Sequence, residues 1–253
     1  MDRTPKETDR GVDLQRLIAA PPIVRGPQAG TSVYVYDARD GVSADEKAAL
    51  HHPLSDAERA RADTIRHSPR RDAYIVGRAL LRHHLSATVG GAVRPFAWRI
   101  EPASGSKPEC AGPAPATPQF NLSYSDGIVA IAIAPSNPVG VDIERHRKDD
   151  LTGAAQRMLH EHERAQLAAA APDDWNRQFL RVWTLKEAVS KCLGRGFALD
   201  FRSFAVTADP PRLATAPPEL AGAHGFELDR RELELRGRPL YLAVATSDPG
   251  PAA

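Results

Sequence analysis

Cysteine is scarce in this chain of 253 residues: Cys110 and Cys192 are the only two. Two thiols exclude a disulfide-built scaffold and a thiolate-rich metal centre, and they suit a reducing compartment. Long apolar runs are also missing. No segment approaches the roughly 20 apolar residues of a membrane span, and the opening MDRTPKETDR has no apolar core of the kind a secretory leader carries. Nor is there a dominant sign of charge. A formal net charge of +1 gives no global drive toward nucleic acid or membrane, so electrostatic recognition has to come from local clusters. With 42% hydrophobic and 26% charged residues, the chain reads as a globular protein with a cytoplasmic default, able to bury one large core or two small ones.

The pattern predicts an irregular lead-in over residues 1–30, marked by Ala20-Pro21-Pro22-Ile23, then two lobes over 31–137 and 138–248. In the first, Val33 to Tyr36 reads as a strand. Helix-favouring residues run from Ser43 to about Arg66, interrupted at His51-His52-Pro53, and an amphipathic helix follows over Asp72 to Leu85. Phe96 to Ile100 reads as a strand, 102–118 as a loop, and Ile128 to Ala134 as an apolar strand. The second lobe repeats this order. Val139 to Ile143 is strand-like, Leu151 to Ala170 and Asp174 to Leu193 are helix-like, and Phe204 to Thr207, Glu232 to Leu235 and Leu240 to Ala245 are strand-like. An α+β fold of two similar lobes follows, each a small sheet packed with helices, with a ligand cleft between them.

Two segments carry the chemistry. In Gly140-Val141-Asp142-Ile143-Glu144 the period of two puts both carboxylates on one face of a strand, where they can share a hard cation. In Trp183-Thr184-Leu185-Lys186-Glu187-Ala188-Val189-Ser190-Lys191 the four-residue spacing brings Glu187 and Lys191 together on a helix. Carboxylates for an ion and an ammonium group for an oxyanion suit Mg²⁺-assisted chemistry on a phosphate.

These two segments, some forty residues apart, resemble the paired signature of 4′-phosphopantetheinyl transferases, and the length and two-lobed pattern resemble the pseudo-dimeric Sfp-type class. Arg70-Arg71, Tyr74, Gly77-Arg78 and Arg82 resemble the basic helix of that family's first lobe, Ser106-Lys107-Pro108 its Gly-Lys-Pro segment, and Phe120-Asn121-Leu122-Ser123 its Phe-Asn-x-Ser turn. The resemblance implies transfer of the phosphopantetheine arm of coenzyme A to a serine of an acyl, peptidyl or aryl carrier protein, with release of 3′,5′-ADP, by a monomer that needs neither nucleic acid nor membrane. It implies Asp142, Glu144 and Glu187 as ligands of Mg²⁺, or Mn²⁺ in its place. Glu187 and Lys191 would be catalytic, the first accepting the serine proton and the second stabilising the departing phosphate. Arg71, Arg78, Lys107, Ser123, Tyr124, Lys186 and Lys191 would bind coenzyme A. Two positions depart from the family: Tyr124 stands where histidine is usual, and Ser106 where glycine is. Tyrosine replaces an imidazole hydrogen bond but not an imidazolium charge.

Plainer readings stand beside these. Glu187 and Lys191 alone would be a routine surface ion pair, and Asp142 and Glu144 alone the solvated end of an edge strand. Lys186, about 100° round the helix from Glu187, could support the site or face the carrier. Arginines from Arg59 to Arg82 lack interleaved aromatics and are balanced by Asp56, Glu58, Asp63 and Asp72, which argues against a nucleic-acid face. His160-Glu161-His162, His51-His52 and His83-His84 lack the spacing of a zinc site. Glu163 is a supporting acidic residue and Trp183 a core anchor. A metal-dependent nuclease and a non-catalytic carrier-docking module remain as rivals; the first lacks its usual Glu-x-Lys triplet, and the second would not need the acidic triad. Carrier identity, pathway (fatty acid, polyketide, nonribosomal peptide or siderophore) and tolerance of acyl donors lie in surface loops that motifs do not resolve.

Overall fold

The computed structural model describes residues 14–39, 44–102, 107–111, 117–217, 220 and 225–248. Helix α1 (Leu14–Ala19) and strands β1 (Val24–Arg25) and β2 (Ser32–Asp37) come first, then helices α2 (Ala44–His51), α3 (Asp56–Thr64) and α4 (Ser68–Thr88), the hairpin β3 (Arg99–Pro102) and β4 (Pro108–Ala111), and strands β5 (Gln119–Ser125) and β6 (Ile128–Ala134). The second half runs β7 (Val139–Arg145), α5 (Thr152–Met158), α6 (Glu161–Ala168), α7 (Trp175–Cys192), the hairpin β8 (Ala205–Ala208) and β9 (Pro211–Thr215), then β10 (Phe226–Leu235) and β11 (Arg238–Ser247).

Two antiparallel sheets organise these elements, in the orders β1-β2-β6-β5 and β10-β11-β7. Strand order shows the repeat that residue identities hide. In each half a first strand (β2, β7) precedes the helices and a small hairpin, and the last strand of the half (β6, β11) lies between the first and the penultimate one.

The sheets face each other, and one helix backs each. All of β6 is buried because both its faces are covered. Val129, Ile131 and Ile133 pack with Ile75, Leu80 and Leu81 of α4, whereas Ile128, Ala130 and Ala132 pack with Val139, Val141 and Ile143 of β7 and Leu242 and Val244 of β11. With Val139, Val141 and Ile143 spent on the intersheet layer, the alternation of β7 turns Gly140, Asp142 and Glu144 to its other face, toward α7. A third apolar cluster, with Phe179, Leu185 and Val189 of α7, fills the far side.

Gly140 sets how closely that helix approaches. A Cβ there would stand 2.0 Å from the Ala188 carbonyl oxygen and 2.4 Å from the Cys192 nitrogen, so only glycine lets β7 and α7 touch backbone to backbone.

Several boundaries differ from the sequence expectation. Residues 119–125 form β5, not a turn: Phe120, Leu122 and Tyr124 alternate with Asn121, Ser123 and Ser125, a period of two that the short motif obscures. The helix expected over Leu151 to Ala170 is two, α5 and α6. Leu159 adopts an extended conformation between them, and α6 restarts under a cap in which Glu163 Oε2 accepts the His160 N–H at 2.9 Å. Phe96 lies in a 3₁₀ turn over Pro95–Ala97, so the strand begins only at Arg99. Within the expected lead-in and loop lie α1, β1 and β4, while residues 1–13, 103–106 and 112–116 lie outside the described residues.

Candidate active site

Strand β5 ends the first sheet beside β7, the end of the second, and the junction is made by side chains. Asn121 Oδ1 accepts the N–H of Val141 at 3.0 Å, Ser123 Oγ that of Ile143 at 3.4 Å, and Ser125 Oγ that of Arg145 at 3.2 Å. The period of two on β5 thus satisfies the outward N–H groups of β7 one after another. The same hydroxyls turn to the acids. Ser123 donates to Asp142 Oδ1 at 2.7 Å and Ser125 to Glu144 Oε2 at 3.0 Å. Motif reading takes in Asn121 only as part of the Phe-Asn-x-Ser match and does not reach Ser125; the alternation of polar residues at 121, 123 and 125 is the signal that finds both.

Helix α7 brings the basic half. Lys191 donates to Asp142 Oδ1 at 2.6 Å and to Ser123 Oγ at 3.1 Å. Glu187 is 8% exposed; burial raises its pKa to about 7, with Asp142 and Glu144 adding to the rise and Lys191 opposing it. The pKa of Glu144 is also raised, by burial and then by Asp142, although Arg147 binds it at 2.8 Å. Arg147 is a further site neighbour that motif reading missed.

Asp142 raises the pKa of both Glu144 and Glu187, which marks an incomplete electrostatic arrangement. Among the described residues no group of three or more His, Cys, Asp or Glu side chains is arranged to hold a metal ion; Asp142 and Glu144 are engaged by Lys191 and Arg147 instead. The donors nonetheless suit a hard cation. Asp142 Oδ2 is buried without a hydrogen-bond partner, and carboxylate oxygens are the ligands that Mg²⁺ and Mn²⁺ prefer.

A cavity of about 370 Å³ opens over these groups and takes its walls from both lobes: Arg78 of α4, Lys107, Leu122 and Tyr124 from the first, Glu187 and Lys191 from the second. A larger cavity of about 740 Å³ shares Tyr74 and Tyr124 with it and is lined by Arg61, Arg66 and Arg70. Arg78 lies 5.6 Å from the centre of the Tyr74 ring and 3.6 Å from Glu58. Lys107 gives its ammonium group to the Val139 carbonyl at 2.8 Å, while Gly105 and Ser106 lie outside the described residues. Tyr124 is 40% exposed, but its hydroxyl is turned inward: a Cβ on Gly77 would meet it at 2.8 Å. Burial of that end raises the phenol pKa.

Two expectations are corrected. Lys186 does not reach either cavity. It is fully buried on the far side of α7, where it donates to Glu163 at 2.7 and 2.9 Å and to the Phe204 carbonyl at 2.5 Å. Arg71 lines neither cavity; Arg70, which shares a helix face with Tyr74 and Arg78 at four-residue intervals, does. Trp183 stacks between Phe179 and Phe201, with ring centres 6.0 and 5.6 Å away, as a core residue.

The site thus joins acids on β7, the end strand of its sheet, to a Lys-Glu helix packed against them in one of two similar αβ lobes. Comparison with known proteins gives the family. Residues 138–231 match the 4′-phosphopantetheinyl transferase superfamily. The chain is 33% identical over 169 residues to the 4′-phosphopantetheinyl transferase HetI of Nostoc sp., covering 65% of this chain and 70% of HetI. It is 38% identical over 85 residues to the 4′-phosphopantetheinyl transferase gsp of Aneurinibacillus migulanus, covering 34% and 35% of the two chains. With the AcpT 4′-phosphopantetheinyl transferase of Escherichia coli O157:H7 identity is 37% over 128 residues, covering 50% and 60%. Among solved structures, a holo-(acyl-carrier-protein) synthase from Bacillus anthracis in complex with CoA (3′,5′-ADP) superposes with a TM-score of 0.37 at 21% identity, over 44% of this chain and 95% of that one. The chain belongs to the 4′-phosphopantetheinyl transferase family. It matches from 35% to 70% of the length of the three curated relatives named.

Proposed function

We propose that this protein transfers the 4′-phosphopantetheine group of coenzyme A to a serine of apo acyl, peptidyl or aryl carrier proteins and releases 3′,5′-ADP. The observation that carries this reading is the cavity where Arg78 and Tyr124 from one lobe face Glu187 and Lys191 from the other, directly above Asp142. Basic groups for a nucleotide line the neighbouring 740 Å³ cavity, so an elongated donor with phosphates at one end and a pantetheine arm at the other matches the two in series.

Asp142, Glu144 and Glu187 would hold Mg²⁺ or Mn²⁺, which supplies charge neutralisation at the pyrophosphate. The chain's own groups account for the rest. Arg61, Arg66, Arg70 and Arg78 bind the donor's phosphates. The Glu187 carboxylate takes the proton from the attacking serine hydroxyl, and a pKa near 7 suits a base working at neutral pH. As the serine oxygen bonds to the β-phosphorus, the bond from that phosphorus to the bridging oxygen breaks, and the Lys191 ammonium stabilises the charge left on the 3′,5′-ADP oxygen. Active monomers are expected, because both walls of the cavity come from one chain.

Incubation of an apo carrier with the protein, coenzyme A and Mg²⁺ should add the mass of one phosphopantetheine group. No gain across acyl, peptidyl and aryl carriers would refute the reading. Cleavage of DNA would revive the nuclease, and carrier binding without modification the docking module.

A further inference from the structure

Lys186 and Glu163 form a buried ion pair that the reaction does not touch, with side chains 0% and 1% exposed. Burying two charges is costly, and such a pair usually gives little net stability over well-packed apolar residues. Here every polar group is matched. Glu163 Oε2 accepts from Lys186 at 2.7 Å and from the His160 N–H at 2.9 Å, and Oε1 accepts from Lys186 at 2.9 Å and from the Val206 N–H at 2.8 Å. Lys186 spends its remaining donor on the Phe204 carbonyl at 2.5 Å and sits 4.2 Å from the centre of the Phe204 ring. One carboxylate therefore pins the start of α6, the middle of α7 and the start of β8 at a single point.

The adjacent residue is Glu187. Successive side chains on a helix point about 100° apart, so Lys186 enters the core while Glu187 enters the cleft. On the β7 side the helix is held by the close approach at Gly140. Contact with backbone there limits how near α7 comes without fixing its rotation about its own axis, and the bond from Lys191 to Asp142 at 2.6 Å runs through a flexible four-carbon stem that can follow a small turn of the helix. Side-chain ends lie roughly 5–6 Å from a helix axis, so a turn of about 20° would carry the Glu187 carboxylate about 2 Å. A displacement of that size can cost a catalytic group on the order of 100-fold in rate.

We propose that the Lys186–Glu163 pair is a positioning device that sets the rotational phase of α7 and so aims Glu187 and Lys191 at Asp142. The expected rate effect rests on the transferase reading; the geometric effect does not.

Lys186→Met alone leaves Glu163 charged and unpaired in the core and is expected to unfold readily. The informative variant is Lys186→Met/Glu163→Gln, which removes both charges at nearly unchanged volume. It should stay folded and bind coenzyme A within about twofold of the parent, since neither residue lines the cavity, yet lose about tenfold or more in kcat. In the same variant, without metal or coenzyme A, the amide NMR signals of Asp142 and Ile143 should move, while those of Val33 and Val35 in the other sheet stay in place. A folded double variant that keeps kcat within about twofold, or leaves the Asp142 and Ile143 amides unmoved, overturns the proposal and reduces the pair to a stability element. If the parent protein transfers nothing to any carrier, the transferase reading fails and the amide comparison still decides the positioning claim.

Discussion

Lys191 Nζ stands 2.6 Å from Asp142 Oδ1, while the other oxygen of the same carboxylate is buried and bonded to nothing. One half of the group is thus fixed by α7 and Ser123, and the other half is left with its hydrogen-bonding capacity unused. Asp142→Asn should abolish metal-dependent transfer and also loosen Lys191, lowering kcat by at least about 100-fold at saturating Mg²⁺. Glu144→Ala should act mainly through metal, with activity partly recovered at high Mg²⁺ or Mn²⁺. Steady-state rates across a metal titration check both; unchanged activity in either variant would remove that residue from the ligand set.

Gly140→Ala places a methyl carbon against backbone atoms of both Ala188 and Cys192, neither of which is the flexible end of a side chain. Separating β7 from α7 should cost about 3 kcal/mol or more. Chemical denaturation measures this directly, and a variant as stable as the parent would show that the helix does not lie against the strand as described.

Glu187 should titrate near pH 7 in the metal-free protein, which carboxyl-carbon NMR against Glu187→Gln can read. Its folded pKa is raised above the ordinary glutamate value of 4.5, so between the two values the folded state holds this proton while the unfolded state has lost it. The stability contribution linked to it is therefore full below about pH 4.5 and is lost as pH rises through about 7. In Glu187→Gln that part of the slope should vanish.

His84 works in the opposite sense. Burial, then the neighbouring His83, lowers its pKa to about 4, while its ring stacks on Tyr34 at 3.8 Å and its Nε2 meets the Tyr36 hydroxyl at 2.5 Å. The neutral ring contributes stability that is present above the ordinary histidine value of 6.5 and lost as pH falls through about 4. His84→Gln should flatten thermal stability across that range; an unchanged acid limb would show that other groups cause it.

Tyr124→His exchanges a phenol whose oxygen packs at Gly77 for a shorter ring able to carry charge. Coenzyme A affinity should change modestly and gain a dependence on pH near 6.5. Calorimetry at pH 6 and 8 tests this, and identical affinities would mean that the position does not meet a phosphate.

That Asp142 and Glu144 share one face of a strand, and Glu187 and Lys191 one face of a helix, was legible because the two segments follow simple periods of two and of four residues. The repeat of strand, helices and strands was legible for the same reason. The inner side of the second lobe was not. Two lysines five residues apart on one helix look alike in sequence, and only the depth of Glu163 and Phe204 behind α7 shows that Lys186 is structural while Lys191 faces the cleft. Arg70 and Arg71 differ in the same way, by 100° of helix phase that depends on where α4 meets β6. Strand β5 escaped notice because its polar residues are buried for the hydrogen bonds they make across to β7, against the usual expectation that polar positions mark solvent.

The side-chain junction between β5 and β7 also bears on the order of folding. Asn121 and Val141 are 20 residues apart in the chain, whereas Asp142 and Lys191 are 49 apart. Shorter loops close at lower entropic cost, so the strand run from β5 to β7 can assemble early, with both acids already oriented by serine hydroxyls. Conformational search is then left to the arrival of α7, and mutations at Ser123 or Ser125 should slow refolding more than they speed unfolding.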